Sequence, residues 1–294
     1  MGESIAVVVV TYNRLSLLKK CIDGVRNQTL KPDAVIVINN GSTDGTDDWL
    51  GAQGDLTVIT QSNVGGAGGF HRGIKEAFER KFDWIWVMDD DGCPALNCLE
   101  ELMAATVKQP EVNVWGCIVL DQDDHSKLAF ECSKILTKQG EINWDDEFID
   151  NWAPFFNGIL FSRATVKKVG LPNPSLFIWG DEIDYYEGIV AGGGIIKSTT
   201  RAVFYHPKDR LYSTVYRNQY VYDGPINWKA YCFFRNRAYL GRKHYHRTET
   251  GSLFNQFAYF RYKLPTTEFL KAVPLLLKAH LDGLTYNLKR KLPY

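Results

Sequence analysis

Four short apolar runs most constrain what this chain can fold into: IAVVVVTY from residue 5, AVIVINN from 34, LTVIT from 56 and DWIWVMDDD from 83. Each is apolar without alternation, as a strand buried on both faces must be. Between them lie RLSLLKKCIDGVRNQ, GSTDGTDDWLGAQ and NVGGAGGFHRGIKEAFERK, which read as helices or as turns entering helices. Strand and helix in strict alternation specify βαβ units, a parallel sheet covered by helices on both faces. Ligands of such sheets bind outside the carboxyl ends of the strands. Here those ends are all polar: Thr11–Asn13, Asn39–Asn40, Gln61–Asn63 and Asp89–Asp91. The pattern locates one crevice.

Beyond residue 100 the pattern mixes. CLEELMAATVKQ reads as a helix, NVWGCIVL as a strand, FFNGILFSRATVKKVG as a strand running into a helix and TRAVFYHP as a strand. LPNPSLFIWGDEIDYYEGIVAGG is a proline-interrupted loop entering a helix. From 212 onward the chain is aromatic and basic, helical around NWKAYCFFRNRAYLGRKH and TTEFLKAVPLLLKAHLDGLTYNLKRK. The expected organisation is an α/β domain over 1–210 and an aromatic, basic helical region over 211–294.

Composition excludes more than it identifies. With 34 basic and 34 acidic side chains the net charge is zero, which gives no support for nucleic-acid binding through bulk electrostatics. The six cysteines form no C-x-x-C pair and point to neither a zinc site nor a disulfide framework, so a reducing cytoplasm is the expected compartment. No secretory signal is expected, since IAVVVV is short and lacks a basic flank, and no run has the length of a membrane-spanning helix.

Asp89, Asp90 and Asp91 in succession repel one another, and Gly92 and Pro94 follow at once. A solvated turn is one reading. A divalent metal site is the other, because Mg²⁺ or Mn²⁺ is commonly held by one or two carboxylates together with substrate phosphates. Gly65, Gly66, Gly68 and Gly69 fill four of five positions at a helix start. Their spacing fits neither the dinucleotide fingerprint nor a Walker loop. A tight turn with close helix packing would use them; so would a loop approaching a diphosphate or sugar, with Asn63 at its start.

Taken together, VVVVTYNR, INNGSTDGT, NVGGAGGF and WVMDDDG resemble the inverting nucleotide-sugar glycosyltransferases of family two, which have the GT-A fold. The glycine run followed by DDD is similar to the galactofuranosyltransferase-like branch. The resemblance is strong over residues 4–95, moderate to about 210 and thin beyond. It implies a Rossmann-like, mostly parallel sheet and a metal-dependent enzyme using a UDP-sugar donor. In that reading Asp89 and Asp91 hold Mn²⁺ or Mg²⁺, Asp90 faces the donor sugar, and Thr11, Asn13, Arg14 and Asn40 hold the nucleoside. His206 of FYHP matches a position where the branch places a metal-binding histidine. FIWGDEIDYYEG resembles the family's acidic motif, giving Glu182 as the general base, Asp181 as rival and Asp184 as second candidate. An N-cap role for Asp181 is compatible with any of these. Trp179 is either a sugar-stacking wall or a core residue.

The implied reaction moves galactofuranose from UDP-galactofuranose to a hydroxyl of a growing surface polysaccharide or glycolipid. The alternatives are the same fold using dTDP-rhamnose, and a catalytically silent nucleotide- or sugar-binding module. A lipid-linked glycan acceptor would suit a basic C-terminal region lying peripherally on the inner face of the cell membrane. In its segment from Arg261 to Tyr294, Lys263, Lys271, Lys278, Lys289, Arg290 and Lys291 stand against only Glu268 and Asp282, and Pro274 is expected to divide the helical pattern into two short helices.

Overall fold

The computed structural model describes residues 2–130, 132–136, 141–208 and 212–288. Two compact units emerge: Met1–Pro174 with Tyr185–Asp209, and Ser175–Asp184 with Arg210–Tyr294. Lys289, Arg290 and Lys291 lie outside the described residues.

In the first unit the apolar runs form β1 (Ile5–Thr11), β2 (Ala34–Asn39), β3 (Leu56–Thr60) and β4 (Trp84–Asp89). They are joined by α1 (Leu15–Arg26), α2 (Thr46–Gly51) and α3 (Gly65–Glu79). These strands pair in parallel in the order β3-β2-β1-β4. Register aligns their carboxyl ends: Thr11 opposes Asn39, Asn39 opposes Thr60 and Val10 opposes Asp89.

The chain continues through β5 (Cys93–Pro94), α4 (Cys98–Lys108), β6 (Val114–Asp121), β7 (Phe148–Asp150), β8 (Asn157–Ser162) and α5 (Arg163–Val169). After α6 (Asp181–Ala191), which starts in the second unit, β9 (Ile196–His206) returns to the sheet. The sheet extends as β4-β8-β6-β9-β5, with β7 also on β9. Strand β8 runs antiparallel to both β4 and β6, while β6 and β9 are parallel. The fold is thus α/β with a mostly parallel sheet, and its antiparallel insertion leaves β4 and β9 ending on the same edge.

Both faces of the sheet are dry, which is why the strands do not alternate. Val7, Val9, Trp86 and Met88 pack with Leu18 and Ile22 of α1 and Leu99 and Leu102 of α4. Val8, Val10, Ile36 and Ile85 pack on the other face with Phe70 and Ile74 of α3 and Val166 of α5. Each such side chain contributes about 1.5–3 kcal/mol of burial.

The glycine run is not a loop preceding the helix; it is the first turns of α3, beginning at Gly65. A Cβ on Gly69 would lie 2.4 Å from Val10 Cγ1, and one on Gly73 would lie 2.3 Å from Val8 Cγ1. These two glycines let α3 sit directly on β1. Gly66, by contrast, has nothing within 4 Å of that direction.

The second unit holds an antiparallel hairpin, β10 (Ser213–Tyr216) with β11 (Gln219–Tyr222), and α7 (Trp228–Tyr245), α8 (Thr250–Lys263) and α9 (Thr266–Leu284). Its core gathers Tyr222, Tyr231, Phe234, Leu253, Phe260 and Leu276. Pro274 does not split the last helix: α9 runs through it. Tertiary packing of Ala272, Leu276 and Ala279 overrides the missing N–H, and Leu270, whose carbonyl loses its partner, is exposed to water. Among the described residues no helix is long and apolar enough to cross a membrane.

Gly73→Ala is expected to lower stability by roughly 1–3 kcal/mol in urea denaturation, because the new methyl overpacks a closed interface. Gly66→Ala should change stability by less than about 1 kcal/mol, its sign favouring the helix. Equal losses in both would contradict the packing assigned to Gly73.

Candidate active site

The aspartate triplet is built from three strand ends. Thr11, buried at the end of β1, donates its hydroxyl to Asp90 Oδ2 at 2.6 Å. Arg14, at the start of α1, reaches Asp90 Oδ1 at 3.1 Å and Asp91 Oδ2 at 2.5 Å through the same Nη1. From β9, His206 Nε2 lies 3.0 Å from Asp91 Oδ1. The approach of His206 follows from the turn after Asp91: β5 folds back antiparallel on β9, pairing Cys93 with Tyr205. Gly92 is required in that turn, since a Cβ there would sit 2.0 Å from Cε1 of the fully buried Phe204.

Hydrogen bonding fixes the imidazole. His206 Nδ1 lies 2.6 Å from the carbonyl oxygen of Pro207, which can only accept, so Nδ1 carries a proton. Nε2 is then a bare lone pair when the ring is neutral and a donor to Asp91 when it is charged. A ring held at Nδ1 by a carbonyl, with Nε2 beside a carboxylate, is the donor arrangement that divalent-metal sites use.

Burial pushes Asp89 well above the usual carboxylate range, and Asp91 and Asp90 add repulsion. Burial likewise raises Asp90, to about 6, against the opposing pull of Arg14 and Thr11. Asp91 is lowered: burial works to raise it, but His206 and Arg14 outweigh that. The His206 pKa is raised, because its bond and charge interaction with Asp91 overcome burial. Asp91 is thus the carboxylate of the three whose ionised form its surroundings favour, while Asp89 and Asp90 are held toward the protonated form by burial. Among the described residues no group of three or more His, Cys, Asp or Glu side chains is gathered as a metal cage. The donor set fits a divalent ion that draws further ligands from a bound diphosphate.

The residues read as nucleoside contacts are partly engaged with one another. Asn13, at φ 54°, accepts from Thr43 N at 2.7 Å, while its own N–H donates to Ser42 Oγ at 2.9 Å. Asp44 accepts from Leu15 N at 2.9 Å and Thr46 Oγ1 at 2.6 Å. Asn40 is buried, donating to Gly65 O at 3.1 Å and accepting from Gln61 Nε2 at 2.7 Å. Asn63 Oδ1 accepts from Gly65 N at 2.9 Å. Gly68 is buried against Val64, and Gly69 packs beneath Asn40 as well as Val10. These bonds join the ends of β1, β2 and β3. Ser42, Thr43 and Asp44 of INNGSTDGT and Gln61 at the end of β3 lie in the stretches the sequence marked, but received no individual role there.

The acidic segment belongs to the second unit. Glu182 Oε2 accepts from Gly180 N at 2.8 Å, turning back over the start of α6. Asp181 and Asp184 are buried. Asp184 Oδ1 is shared by Lys243 Nζ and His244 Nε2, each at 2.7 Å. Trp179 lies edge-on to Tyr212 and Phe233, with ring centroids 6.2 and 6.5 Å away. The α7 residues in these contacts, like Arg235 and Asn236, lie in a stretch whose sequence reads only as a helical cap.

Against known proteins, the chain matches the glycosyl transferase family 2 domain over residues 6–161. It is 31% identical over 260 residues to galactofuranosyltransferase GlfT1 of Mycobacterium tuberculosis, covering 82% of this chain and 83% of that one. Among solved structures, S. aureus TarS 1-349 in complex with UDP aligns with TM-score 0.59 at 13% identity, covering 97% of this chain and 82% of that one. GalNAc-T7 with UDP, GalNAc and Mn²⁺ aligns with TM-score 0.56 at 16% identity, over 69% of this chain and 43% of that one. The structural likenesses bear on the fold, and both support GT-A.

The raised Asp90 pKa carries a sign that can be measured. A carboxyl whose folded value lies above its unfolded 3.8 weakens the fold as pH rises through about 6. In chelator, Asp90→Asn should therefore be more stable than the parent at pH 7.5, by at most about 3 kcal/mol. Its advantage should vanish near pH 4. A stability difference independent of pH would contradict the assignment.

Proposed function

The chain belongs to glycosyl transferase family 2, and on that premise we propose that it transfers galactofuranose from UDP-galactofuranose, with inversion, to an acceptor hydroxyl of a glycan or lipid-linked glycan. The observation that carries this reading is the 31% identity to a galactofuranosyltransferase across more than four-fifths of both chains.

In the proposed reaction the acceptor oxygen attacks the anomeric carbon, forming the new glycosidic bond. The bond from that carbon to the diphosphate oxygen breaks, and its electron pair leaves with UDP. Asp91 and His206, with Asp89 beside them, would hold Mn²⁺ or Mg²⁺. A divalent ion bound there supplies Lewis-acid stabilisation of the charge that develops on the leaving diphosphate. Arg14 offers a guanidinium, and with donor bound it can exchange a carboxylate for a phosphate oxygen. Thr11 keeps Asp90 oriented, and the tied loops after β1, β2 and β3 supply the wall for the nucleoside. Glu182 is the proposed base that takes the acceptor proton, with Asp181 as its rival. The bond from Gly180 N fixes Glu182 Oε2.

A peripheral membrane contact is part of the proposal. The face of α9 opposite its core contacts exposes Leu270, Leu277 and Leu281, at intervals of seven and four, with Lys271 and Lys278 alongside. That pattern suits the surface of an anionic leaflet. Replacing the three leucines by glutamine should abolish flotation with anionic liposomes at low salt while leaving transfer to a soluble acceptor intact. Flotation equal to the parent would remove the membrane contact.

Transfer should be seen by mass spectrometry with UDP-galactofuranose and not with dTDP-rhamnose. It should be lost in EDTA and restored by Mn²⁺ or Mg²⁺. Preference for dTDP-rhamnose would change the donor; activity undiminished in excess chelator would refute the metal; no transfer with any donor would favour a silent binding module. Glu182→Gln should cut kcat by roughly a hundredfold while leaving UDP affinity within about twofold. The same loss in Asp181→Asn, with Glu182→Gln active, would move the base to Asp181.

A further inference from the structure

The segment carrying Trp179, Asp181 and Glu182 has an unusual backbone. Phe177 at φ 68°, Trp179 at φ 61° and Gly180 at φ 86° all occupy the left-handed region. Glycine adopts it freely, but two bulky aromatics do so only where their surroundings over-determine the conformation.

What over-determines it is α7. Asn236 Nδ2 lies 2.9 Å from the carbonyl oxygen of Leu176, 2.9 Å from that of Ile178 and 2.7 Å from that of Trp179. An amide has two N–H groups, so three carbonyls converge on it and share them. Arg235 Nη2 takes the carbonyls of Ser175, at 3.1 Å, and Leu176, at 2.8 Å. Arg235 Nε donates to Asn236 Oδ1 at 2.9 Å, which fixes the amide with its NH₂ toward the segment. Both side chains are buried to within 1% of full exclusion from solvent. Burying a guanidinium and a carboxamide is unfavourable unless every polar atom is used. Here Arg235 Nη2 and Asn236 Nδ2 both go to backbone oxygens of residues 175–179, while Arg235 Nη1 reaches the carbonyl of Leu288 at 3.4 Å. One turn on, Leu240 stands 3.0 Å from where a Cβ on Gly180 would lie, and Gly180 N–H holds Glu182.

We propose that Asn236, oriented by Arg235, is a positioning residue that sets the proposed catalytic carboxylate by clamping the left-handed backbone before it. This rests on the reading of Glu182, or its rival Asp181, as the base. Asn236 touches no reacting atom; it acts through the carbonyls of residues 176, 178 and 179 and the Gly180 N–H.

A double-mutant cycle tests it. Asn236→Ala should lower kcat by about thirty- to a hundredfold, the scale of a small misplacement of a reacting group. UDP affinity in Mn²⁺, measured by calorimetry, should stay within about twofold. Added to Glu182→Gln, the same substitution should cost less than about threefold more, because the group it positions is already disabled. Equal fold losses in both backgrounds, or a parallel loss of UDP affinity, would overturn the proposal and leave Asn236 as fold support. If Asn236→Ala does not fold, Arg235→Lys, which keeps the charge and loses the fork, takes its place in the cycle. The single acid variants judge the base separately: an active Glu182→Gln with an inactive Asp181→Asn moves the cycle to the Asp181→Asn background. Full activity in both acid variants ends the base reading and the proposal with it.

Discussion

Three consecutive carboxylates at the end of a buried strand set the constraint on which this site depends. Asp89, Asp90 and Asp91 cannot all be charged at close quarters without compensation. Each compensating group comes from a different part of the sheet: Thr11 from the end of β1, Arg14 from the start of α1 and His206 from the end of β9. Meeting that requirement fixes much of the topology. Strand β8 runs antiparallel to both β4 and β6, so β6 and β9 keep the direction of β4 and β9 ends on the same edge, and β5 reverses on β9 where Asp91 meets His206. Asp91 is the carboxylate most favoured as an anion, beside an imidazole nitrogen able to carry a proton or a metal.

The second unit handles its acids differently. Asp184 is paired with Lys243 and lies at hydrogen-bond distance from His244, whereas Glu182 accepts from the Gly180 backbone N–H. One carboxylate is thus spent on structure and another is aimed by it. Helix α7 serves both, through Arg235 and Asn236 at one turn and Lys243 and His244 two turns later. A helix that gives this many buried donors to one segment constrains that segment more strongly than hydrophobic packing could, because hydrogen bonds fix direction as well as distance.

Much of the first unit was legible in the sequence because its signals are local. IAVVVVT and WIWVMD read as strands buried on both faces, and their polar ends marked the edge where the cluster forms. The glycine run was legible as a point of close approach but not as helix: what Gly69 and Gly73 approach is β1, a non-local fact. The placement of β8 was hidden for the same reason, since strand order depends on which edges remain open. His206 could be singled out only through resemblance to a family. Arg235 and Asn236 gave no signal, because burial of a polar residue within an aromatic, basic helix is invisible until its partners are known. Pro274 misled through a correct local rule that packing of Ala272 and Leu276 overrides.

In the proposed function Asp91 and His206 form an incomplete metal site that a nucleotide diphosphate finishes. With no cage of three or more such donors among the described residues, the protein alone should bind Mn²⁺ weakly, and UDP should tighten it by donating phosphate oxygens. Titration of free Mn²⁺ by electron paramagnetic resonance, with and without UDP, measures this directly. One ion per chain should bind at least tenfold more tightly with UDP than without, and that gain should be lost in His206→Ala. Mn²⁺ affinity indifferent to UDP, or a gain that survives in His206→Ala, would contradict it.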